Sequence, residues 1–96
     1  MSGGELLTKP LTFTGNKLTL NFATSAAGDV RVELQEASGK PLPGFTLDDC
    51  PPVFGDAIER VVKWKHGGDV SPLAGKPVRL RFALKDADLY SLKFNL

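Results

Sequence analysis

Residues 78–94, VRLRFALKDADLYSLKF, decide the fold class because apolar and polar side chains alternate along them. Successive side chains of a β-strand point to opposite faces, so a period of two indicates a strand with one buried and one solvated face. The apolar positions run from Val78 to Leu84, are interrupted by the DAD triplet, and resume with Tyr90. Since polar turn residues between two such runs are typical of a chain reversal, the stretch predicts a β-hairpin.

The same alternation appears upstream in LTLNFATSAAGDVRVELQ, which begins at Leu18. Apolar residues occupy every second position from Leu18 to Phe22 and again from Val30 to Leu34. The SAAGD stretch between the two runs has the composition of a turn. This region therefore predicts two further strands joined by a turn, and helical periodicity is almost absent from the chain.

Two weaker strands, around residues 6–13 and 60–65, and one helical turn complete the prediction. Ser71 resembles a helix N-cap, the proline after it suits a first turn, and Gly75 can end it, so we expect a short helical turn near residues 71–75. Roughly six to eight short strands favour an all-β fold built as an antiparallel β-sandwich, because a single open sheet leaves one apolar face uncovered.

Length and charge bound what the chain can do. With 96 residues and 42% hydrophobic content, it predicts one domain, residues 5–96, preceded by a flexible leader or cloning remnant at residues 1–4. Twelve basic and eleven acidic side chains leave a net charge of +1, without the charged runs that attract nucleic acid or anionic lipid. No apolar run approaches the roughly 18 to 20 residues of a membrane span. We therefore expect neither nucleic-acid nor membrane partners, and a buried free thiol at the lone Cys50.

Several stretches together are similar to a known kind of module. They are VRVELQEASGKPLPGF, the pair LDDC and GDAIERVVKW, and DVSPLAGKPVRLRFALKDADLYSLKF, within residues 28–94. As an ordered set they resemble the C-terminal β-sandwich accessory module, similar to carbohydrate-binding modules, of glycoside-hydrolase-like secreted proteins of environmental bacteria. The resemblance implies a jelly-roll-like, non-catalytic domain of a secreted or cell-surface protein, and we expect a monomer. Its implied partners are a polysaccharide and the catalytic domain of the parent chain.

The segment TLDDCPPVFGDAIERVVKWKHGG, residues 46–68, contains the only Cys, Trp and His of the chain. Trp64 is a candidate sugar platform, because the apolar face of a sugar ring packs against an aromatic ring. It nevertheless shares strand parity with Val62, which favours a place in the core. Arg60, a further candidate for sugar contact, has the same parity and would point inward unless the regular strand begins only at Val61.

Three other residues are candidates for sugar contact. Tyr90 follows the DAD triplet, where its phenol reaches either a ligand or a backbone carbonyl, and we favour a structural role at the edge of the core. Phe54 lies in a loop, and its ring either fixes the loop to the core, which is commoner, or stands exposed as a contact. His66 precedes two glycines and is expected to be an exposed loop residue, with a polar ligand contact as the alternative.

Acidic residues in the same segment suggest a metal site and leave little room for catalysis. Asp48, Asp49 and Asp56 are hard oxygen donors that could hold a structural calcium ion, although their spacing matches no compact calcium loop. Glycoside hydrolysis needs two carboxyl groups across a cleft, and a small sandwich has little chain to wall one. Cys50 and His66 lack an orienting third residue. We therefore expect no enzyme activity and no cofactor apart from calcium.

Two hypotheses about function follow. In the first, the domain binds polysaccharide and keeps a parent enzyme near its substrate. In the second, it is a structural module that packs against a neighbouring catalytic domain and binds no sugar. The first requires an exposed aromatic ring beside polar groups, and the second an exposed apolar patch.

Overall fold

A computed structural model describes the backbone of residues 3–95 and the side chains of residues 4–55 and 60–95. The described residues form one antiparallel sheet with the strand order β1-β4-β2-β3. Its strands are β1 (Gly3–Leu7), β2 (Lys17–Glu36), β3 (Asp56–Val61) and β4 (Val78–Asn95). Two short 3-10 turns, Leu47–Asp49 and Ser71–Leu73, lie between the strands. The all-β prediction is confirmed.

The two predicted strand–turn–strand units are wrong, because each one is a single long strand. β2 and β4 pair with each other from Lys17 opposite Asn95 to Glu36 opposite Val78. The SAAGD and DAD stretches lie opposite each other within this ladder and do not reverse the chain. Turn-forming residues mark a break in the pleat, but their composition does not distinguish a reversal from a bulge.

The long β2–β4 ribbon bends where these two stretches meet. A straight strand of 20 residues would span about 66 Å, nearly twice the longest dimension of the molecule, 35 Å. Thr24 pairs with Ala87 and Asp29 pairs with Lys85, so four residues of β2 face the single residue Asp86 of β4. Asp86 has φ of 45°, in the left-handed region. An irregularity of this kind increases local twist and bends a sheet.

Gly28 occupies the tightest point of the bend. A Cβ atom at this position would lie 2.4 Å from the carbonyl oxygen of Lys85 and 2.5 Å from that of Asp86. Since real Cβ atoms do not approach backbone oxygen atoms so closely, the two strands can pass each other here only over a glycine.

The bend divides the sheet into two parts. The β1 half consists of β1 with residues 29–36 of β2 and 78–85 of β4, and the β3 half consists of β3 with residues 17–24 of β2 and 87–95 of β4. One core cluster receives side chains from both halves. Its fully buried members include Leu18, Leu20, Phe22, Val30, Val32, Leu34, Leu80 and Phe82. The alternation in the sequence predicts each of these as inward-facing, and this is confirmed.

The weaker elements are shifted from their predicted places. The first strand is Gly3–Leu7, and farther along Leu11 forms an isolated bridge with Val78. β3 ends at Val61, whereas the second weak strand was predicted around residues 60–65. The leader predicted for residues 1–4 overlaps β1 at Gly3 and Gly4, and residues 1 and 2 lie outside the described residues.

The helical turn before β4 is confirmed, with a different cap. The 3-10 turn covers Ser71–Leu73, and its N-cap position is Val70, not Ser71. The carboxylate of Asp69 accepts the backbone N–H of Ser71 at 2.9 Å, as a capping side chain does. Gly75, beyond the turn, has φ of 81°. In the described part of the chain, no helix is long and apolar enough to cross a membrane.

Candidate functional site

Trp64 and Cys50 complete the hydrogen bonding of a strand in the core. Both are 2% exposed. The indole Nε1 of Trp64 donates to the carbonyl oxygen of Val32 at 2.9 Å, and the Val32 N–H donates to Cys50 Sγ at 3.5 Å. Val30, two residues earlier, exchanges both of its backbone bonds with Val53. Val32 therefore presents its backbone to the same side, where two side chains take the place of a neighbouring strand.

The predictions for these two residues are confirmed where they concern burial. The prediction of a core Trp64 holds, and its buried ring is closed to a sugar at the surface. The Cys50 thiol is buried as predicted, and burial raises its pKa, so the sulfur stays protonated at neutral pH. The only Trp and the only Cys of the chain thus serve the fold.

Residues 42–53 run along the side of β2 that faces away from β4. The backbone N–H of Leu34 donates to the carbonyl of Phe45 at 2.9 Å, and the N–H of Leu42 donates to the carbonyl of Leu34 at 3.0 Å. With the Val30–Val53 pair, these bonds satisfy β2 without a regular strand. For this reason the segment that begins at Thr46 has the sequence of a loop, although some of its residues are buried.

Asp49 forms a capping box with Thr46. Its carboxylate accepts the Thr46 hydroxyl at 2.9 Å, while the Asp49 N–H donates to the Thr46 hydroxyl oxygen at 3.3 Å. The Thr46 hydroxyl bond, followed by the Thr46 N–H and the nearby Lys65 and His66, holds the pKa of Asp49 below its usual value. His66 is exposed, as predicted, and its ring meets that of Phe45 edge-on at 4.7 Å.

The three predicted calcium ligands differ in their surroundings. Asp48 is exposed, Asp49 belongs to the capping box, and Asp56 begins β3 with its side chain outside the described residues. Among the side chains of residues 4–55 and 60–95, no three His, Cys, Asp or Glu side chains lie together as a metal site. Calcium binding stays a prediction.

Arg60 is exposed near the end of β3, opposite Leu20. Its parity with Trp64 carries no meaning, because β3 ends at Val61 and Trp64 lies beyond it, bridged to Gly67. Because the regular strand ends between the two residues, alternation does not relate their side chains, and Arg60 is exposed while Trp64 is buried.

Phe54 and Tyr90 are the two strongly exposed aromatic rings among the described side chains, at 65% and 68%. Phe54 follows Val53 in the loop before β3, and its ring points away from the core instead of fixing the loop to it. Both rings therefore offer apolar surface to a ligand.

Tyr90 owes its exposure to a β-bulge. Leu89 pairs with Phe22, and Ser91 pairs with Asn21, so Tyr90 is an extra residue in β4. The alternation in the sequence predicts Tyr90 on the inner face with Leu92, and that prediction is wrong, because a bulge changes the parity of the residues that precede it. The phenol is turned toward solvent at a point where β4 passes the polar side chains of β2.

A hollow of about 260 Å³ lies beside this bulge, on the β3 half. It is lined by Thr19, Leu20, Asn21, Ser91, Leu92 and Lys93. Asn21 Nδ2 donates to Ser91 Oγ at 2.8 Å, and Thr19 Oγ1 donates to the Lys93 carbonyl at 3.3 Å. Amide and hydroxyl groups can both donate and accept hydrogen bonds, so this hollow has polar groups next to an exposed ring.

Farther along β2 on the same half lies a second hollow, of about 250 Å³. It is lined by Asn16, Lys17, Val61, Lys63, Gly68 and Asp69. A larger hollow, of about 400 Å³, lies at the end of the β1 half, between Glu36–Ser38, Leu42, Leu73 and Lys76–Val78. None of the three hollows has an aromatic ring among its described lining residues, but the first is lined by Ser91, which follows the exposed Tyr90 in β4. We therefore regard the first hollow as the better candidate for a sugar.

On the β1 half, one basic side chain, Arg81, pairs with two carboxylates. Arg81 contacts the Glu5 carboxylate at 2.6 Å and the Glu33 carboxylate at 3.6 Å, across three neighbouring strands. Glu33 is buried and also accepts the amide of Gln35 at 2.8 Å and the N–H of Leu47 at 3.2 Å. Contacts of this kind between neighbouring strands stabilise a sheet.

β1 exposes two large apolar side chains. Leu6 and Leu7 are 46% and 52% exposed, although they lie on opposite faces of the strand. β1 is also the last strand of the sheet on its side. An edge strand with exposed apolar residues is a surface on which another protein segment can pack.

Sequence reasoning missed the pairing of Asn21 with Ser91, because it did not pair β2 with β4. The signal was present, since both residues occupy polar positions of alternating runs. It also missed the capping box, whose sequence pattern, a Thr followed three residues later by an Asp, is visible at residues 46–49.

We found no match of the chain to a family model, to a curated protein or to a solved structure.

Proposed function

We propose that this domain is a non-catalytic accessory module that binds polysaccharide through the surface beside Tyr90. The observation that carries the proposal is the exposed phenol ring, 68% accessible, next in sequence to Ser91, which lines a polar hollow. An aromatic ring packs against the C–H face of a sugar, while amide and hydroxyl groups such as Asn21 and Ser91 bind sugar hydroxyls. Because this surface lies on paired strands, it is held rigidly before the ligand arrives.

The architecture we propose is a sandwich-like, jelly-roll-like domain. The bend at Gly28 and Asp86 folds one long ribbon into two halves, and side chains of both halves enter the same core. Two layers packed face to face bury the apolar side of each, which a flat sheet of four strands cannot do.

A non-catalytic role is supported by the use of the acidic side chains. Glu33 is held by Gln35, Leu47 and Arg81, and Asp49 by Thr46. Carboxylates committed to such bonds are positioned for the fold and not for a substrate cleft. We place the domain, from the sequence resemblance, in a secreted or cell-surface bacterial protein that carries a catalytic domain.

The second candidate function is that of a structural module that docks on a neighbouring domain without binding sugar. The exposed Leu6 and Leu7 on the edge strand favour it. The two functions use different surfaces, since Tyr90 lies in the β3 half and Leu6 in the β1 half. Substitutions at each surface therefore separate them.

The test compares two exposed aromatic rings. Electrophoresis in native gels containing soluble polysaccharides, followed by calorimetry with the glycan that retards the protein, measures the affinity of the unmodified protein, Tyr90→Ala and Phe54→Ala. We expect Tyr90→Ala to weaken binding by about tenfold or more, because the stacking contact is lost, and Phe54→Ala to leave it unchanged. Unaltered melting temperatures of both variants serve as the control for folding. Binding that survives Tyr90→Ala, or no retardation by any polysaccharide, would overturn the proposal.

A further inference from the structure

The two hollows of the β3 half lie along the same strand. The first includes Thr19 to Asn21, and the second includes Asn16 and Lys17. Lys17, Thr19 and Asn21 have the same parity in β2, opposite to that of the buried Leu18 and Leu20. Lys17 and Asn21 therefore lie on the outer face of the β3 half, and Thr19 between them is 5% exposed.

This face is long enough for a short oligosaccharide. Asn21 lies four positions after Lys17, which corresponds to about 13 Å along an extended strand. The exposed Tyr90 stands at the Asn21 end of this path, since β4 forms its bulge opposite Asn21 and Phe22. One face thus joins an end with the amide of Asn21 and the hydroxyl of Ser91, where Lys93 also belongs to the lining, to an end with two lysines.

The lysines at the second hollow have no carboxylate partner within the described part of the chain. Lys17 and Lys63 are both exposed, and neither forms an ion pair with a described residue. The single carboxylate that lines the same hollow, that of Asp69, accepts the N–H of Ser71 and is directed toward the 3-10 turn. The described lining of the hollow therefore carries two ammonium groups and one carboxylate.

Ion pairs between neighbouring strands are present elsewhere in the described part of the chain. On the β1 half, Arg81 contacts both Glu5 and Glu33, and the cationic group is neutralised by its neighbours across the strands. The difference between the ion-paired Arg81 and the two lysines concerns single sites, because the net charge of the whole chain is only +1. Lys17 and Lys63 offer two ammonium groups to the anionic groups of a ligand, and neither forms an ion pair with a described residue. A net charge of +1 gives the protein little long-range attraction for a polyanion, so recognition of an acidic ligand depends on contacts at this hollow.

We infer that the ligand of this surface is an acidic polysaccharide, whose carboxylate or sulfate groups meet Lys17 and Lys63 while a sugar ring stacks on Tyr90. The inference rests on the proposed function and names its substrate class. Each exposed ion pair contributes modestly and is screened by salt, so the charge acts mainly as a selector among glycans. Lysine suits this role because its ammonium group lies on a flexible side chain and can donate hydrogen bonds to a carboxylate or to a sulfate group.

The experiment uses pairs of ligands that differ in charge alone. Oligogalacturonate is compared with its fully methyl-esterified form, and a sulfated galactan oligosaccharide with its desulfated form. Calorimetry measures the affinity of each for the unmodified protein, at low and at high sodium chloride concentration. We expect at least one acidic member to bind roughly tenfold more tightly than its neutral counterpart at low salt, and high salt to remove most of this difference. The pair that shows the difference identifies carboxylate or sulfate as the group recognised.

A matched pair of double variants tests the residues. Lys17→Gln/Lys63→Gln removes two positive charges at the second hollow, and Lys9→Gln/Lys40→Gln removes two exposed charges elsewhere. We expect the first double variant to bind the acidic oligosaccharide roughly tenfold more weakly and the neutral one as before, and the control double variant to bind both as the unmodified protein does.

The outcomes separate the two proposals. Equal binding of acidic and neutral oligosaccharides, lost in Tyr90→Ala, would overturn the acidic ligand and leave the binding module intact. Equally tight binding of a DNA oligonucleotide would overturn it as well, because the lysines would then attract any polyanion. Absence of binding to every glycan would overturn the proposed function and this inference with it.

Discussion

Replacement of Trp64 by phenylalanine tests whether this residue serves the fold. Trp64→Phe removes the indole N–H that donates to the Val32 carbonyl at 2.9 Å. A buried carbonyl left without a donor costs about 1 to 3 kcal/mol, and the void left by the smaller ring costs about 1 kcal/mol more. We therefore expect the free energy of unfolding to fall by about 2 to 4 kcal/mol, a large part of the stability of a small domain.

Urea unfolding followed by far-ultraviolet circular dichroism measures this loss without depending on tryptophan fluorescence. Phe54→Leu is the matched control, because the ring of Phe54 is 65% exposed and its loss should cost less than about 0.5 kcal/mol. If Trp64→Phe is too unstable to study, Cys50→Ala removes the acceptor of the Val32 N–H and should cost about 1 to 3 kcal/mol. A change below about 0.5 kcal/mol in Trp64→Phe would refute the reasoning.

Three further predictions concern the bend, the capping box and the thiol. Gly28→Ala should cost about 1 to 3 kcal/mol in urea unfolding, since its Cβ would lie 2.4 Å from the Lys85 carbonyl oxygen. The bond from Thr46 lowers the pKa of Asp49 in the folded state. The stability advantage of the unmodified protein over Asp49→Asn should therefore be full above about pH 4 and shrink as the pH falls further, as urea midpoints can show. The buried Cys50 should react with a thiol reagent at neutral pH only in denaturant.

Contradictory results for these three are equally concrete. A Gly28→Ala protein as stable as the unmodified one would mean that the strands do not pass closely at the bend. An advantage over Asp49→Asn that grows as the pH falls would reverse the sign of the linkage. Rapid labelling of Cys50 without denaturant would show an accessible thiol.

The alternation in the sequence was sufficient to predict the β class and the inward-facing apolar residues of β2 and of the first half of β4. Leu18, Leu20 and Phe22 are buried as expected, as are Val32 and Phe82. Burial of an apolar face is a property of each strand by itself, so a period of two carries this information.

Pairing between strands could not be predicted in the same way. The DAD and SAAGD stretches have the composition of turns, and only their position opposite each other in the ladder makes them a bend. Because register depends on both strands at once, no single run of residues specifies it. The exposure of Tyr90 follows from the same limit, since the bulge that exposes it is a property of the pair β2–β4.

The candidate site illustrates how rare residues can mislead. The only Trp and the only Cys drew attention to residues 46–68, yet their polar atoms bond to Val32 in the core. The proposed surface combines the only Tyr of the chain with commoner residues, such as Asn21 and Ser91, that acquire a role only when two distant strands meet. Chemistry that depends on tertiary contacts between ordinary residues leaves little trace in the sequence.

Amide chemical shifts measured by NMR test directly whether a glycan binds beside Tyr90. The labelled protein is titrated with the oligogalacturonate and galactan pairs, and the shifted amides are mapped on the sheet. We predict saturable shifts at Thr19 to Asn21 and at Tyr90 to Lys93, extending toward Lys17 for an acidic oligosaccharide. Shifts confined to Leu6 and Leu7, or none with any of these ligands, would contradict the account.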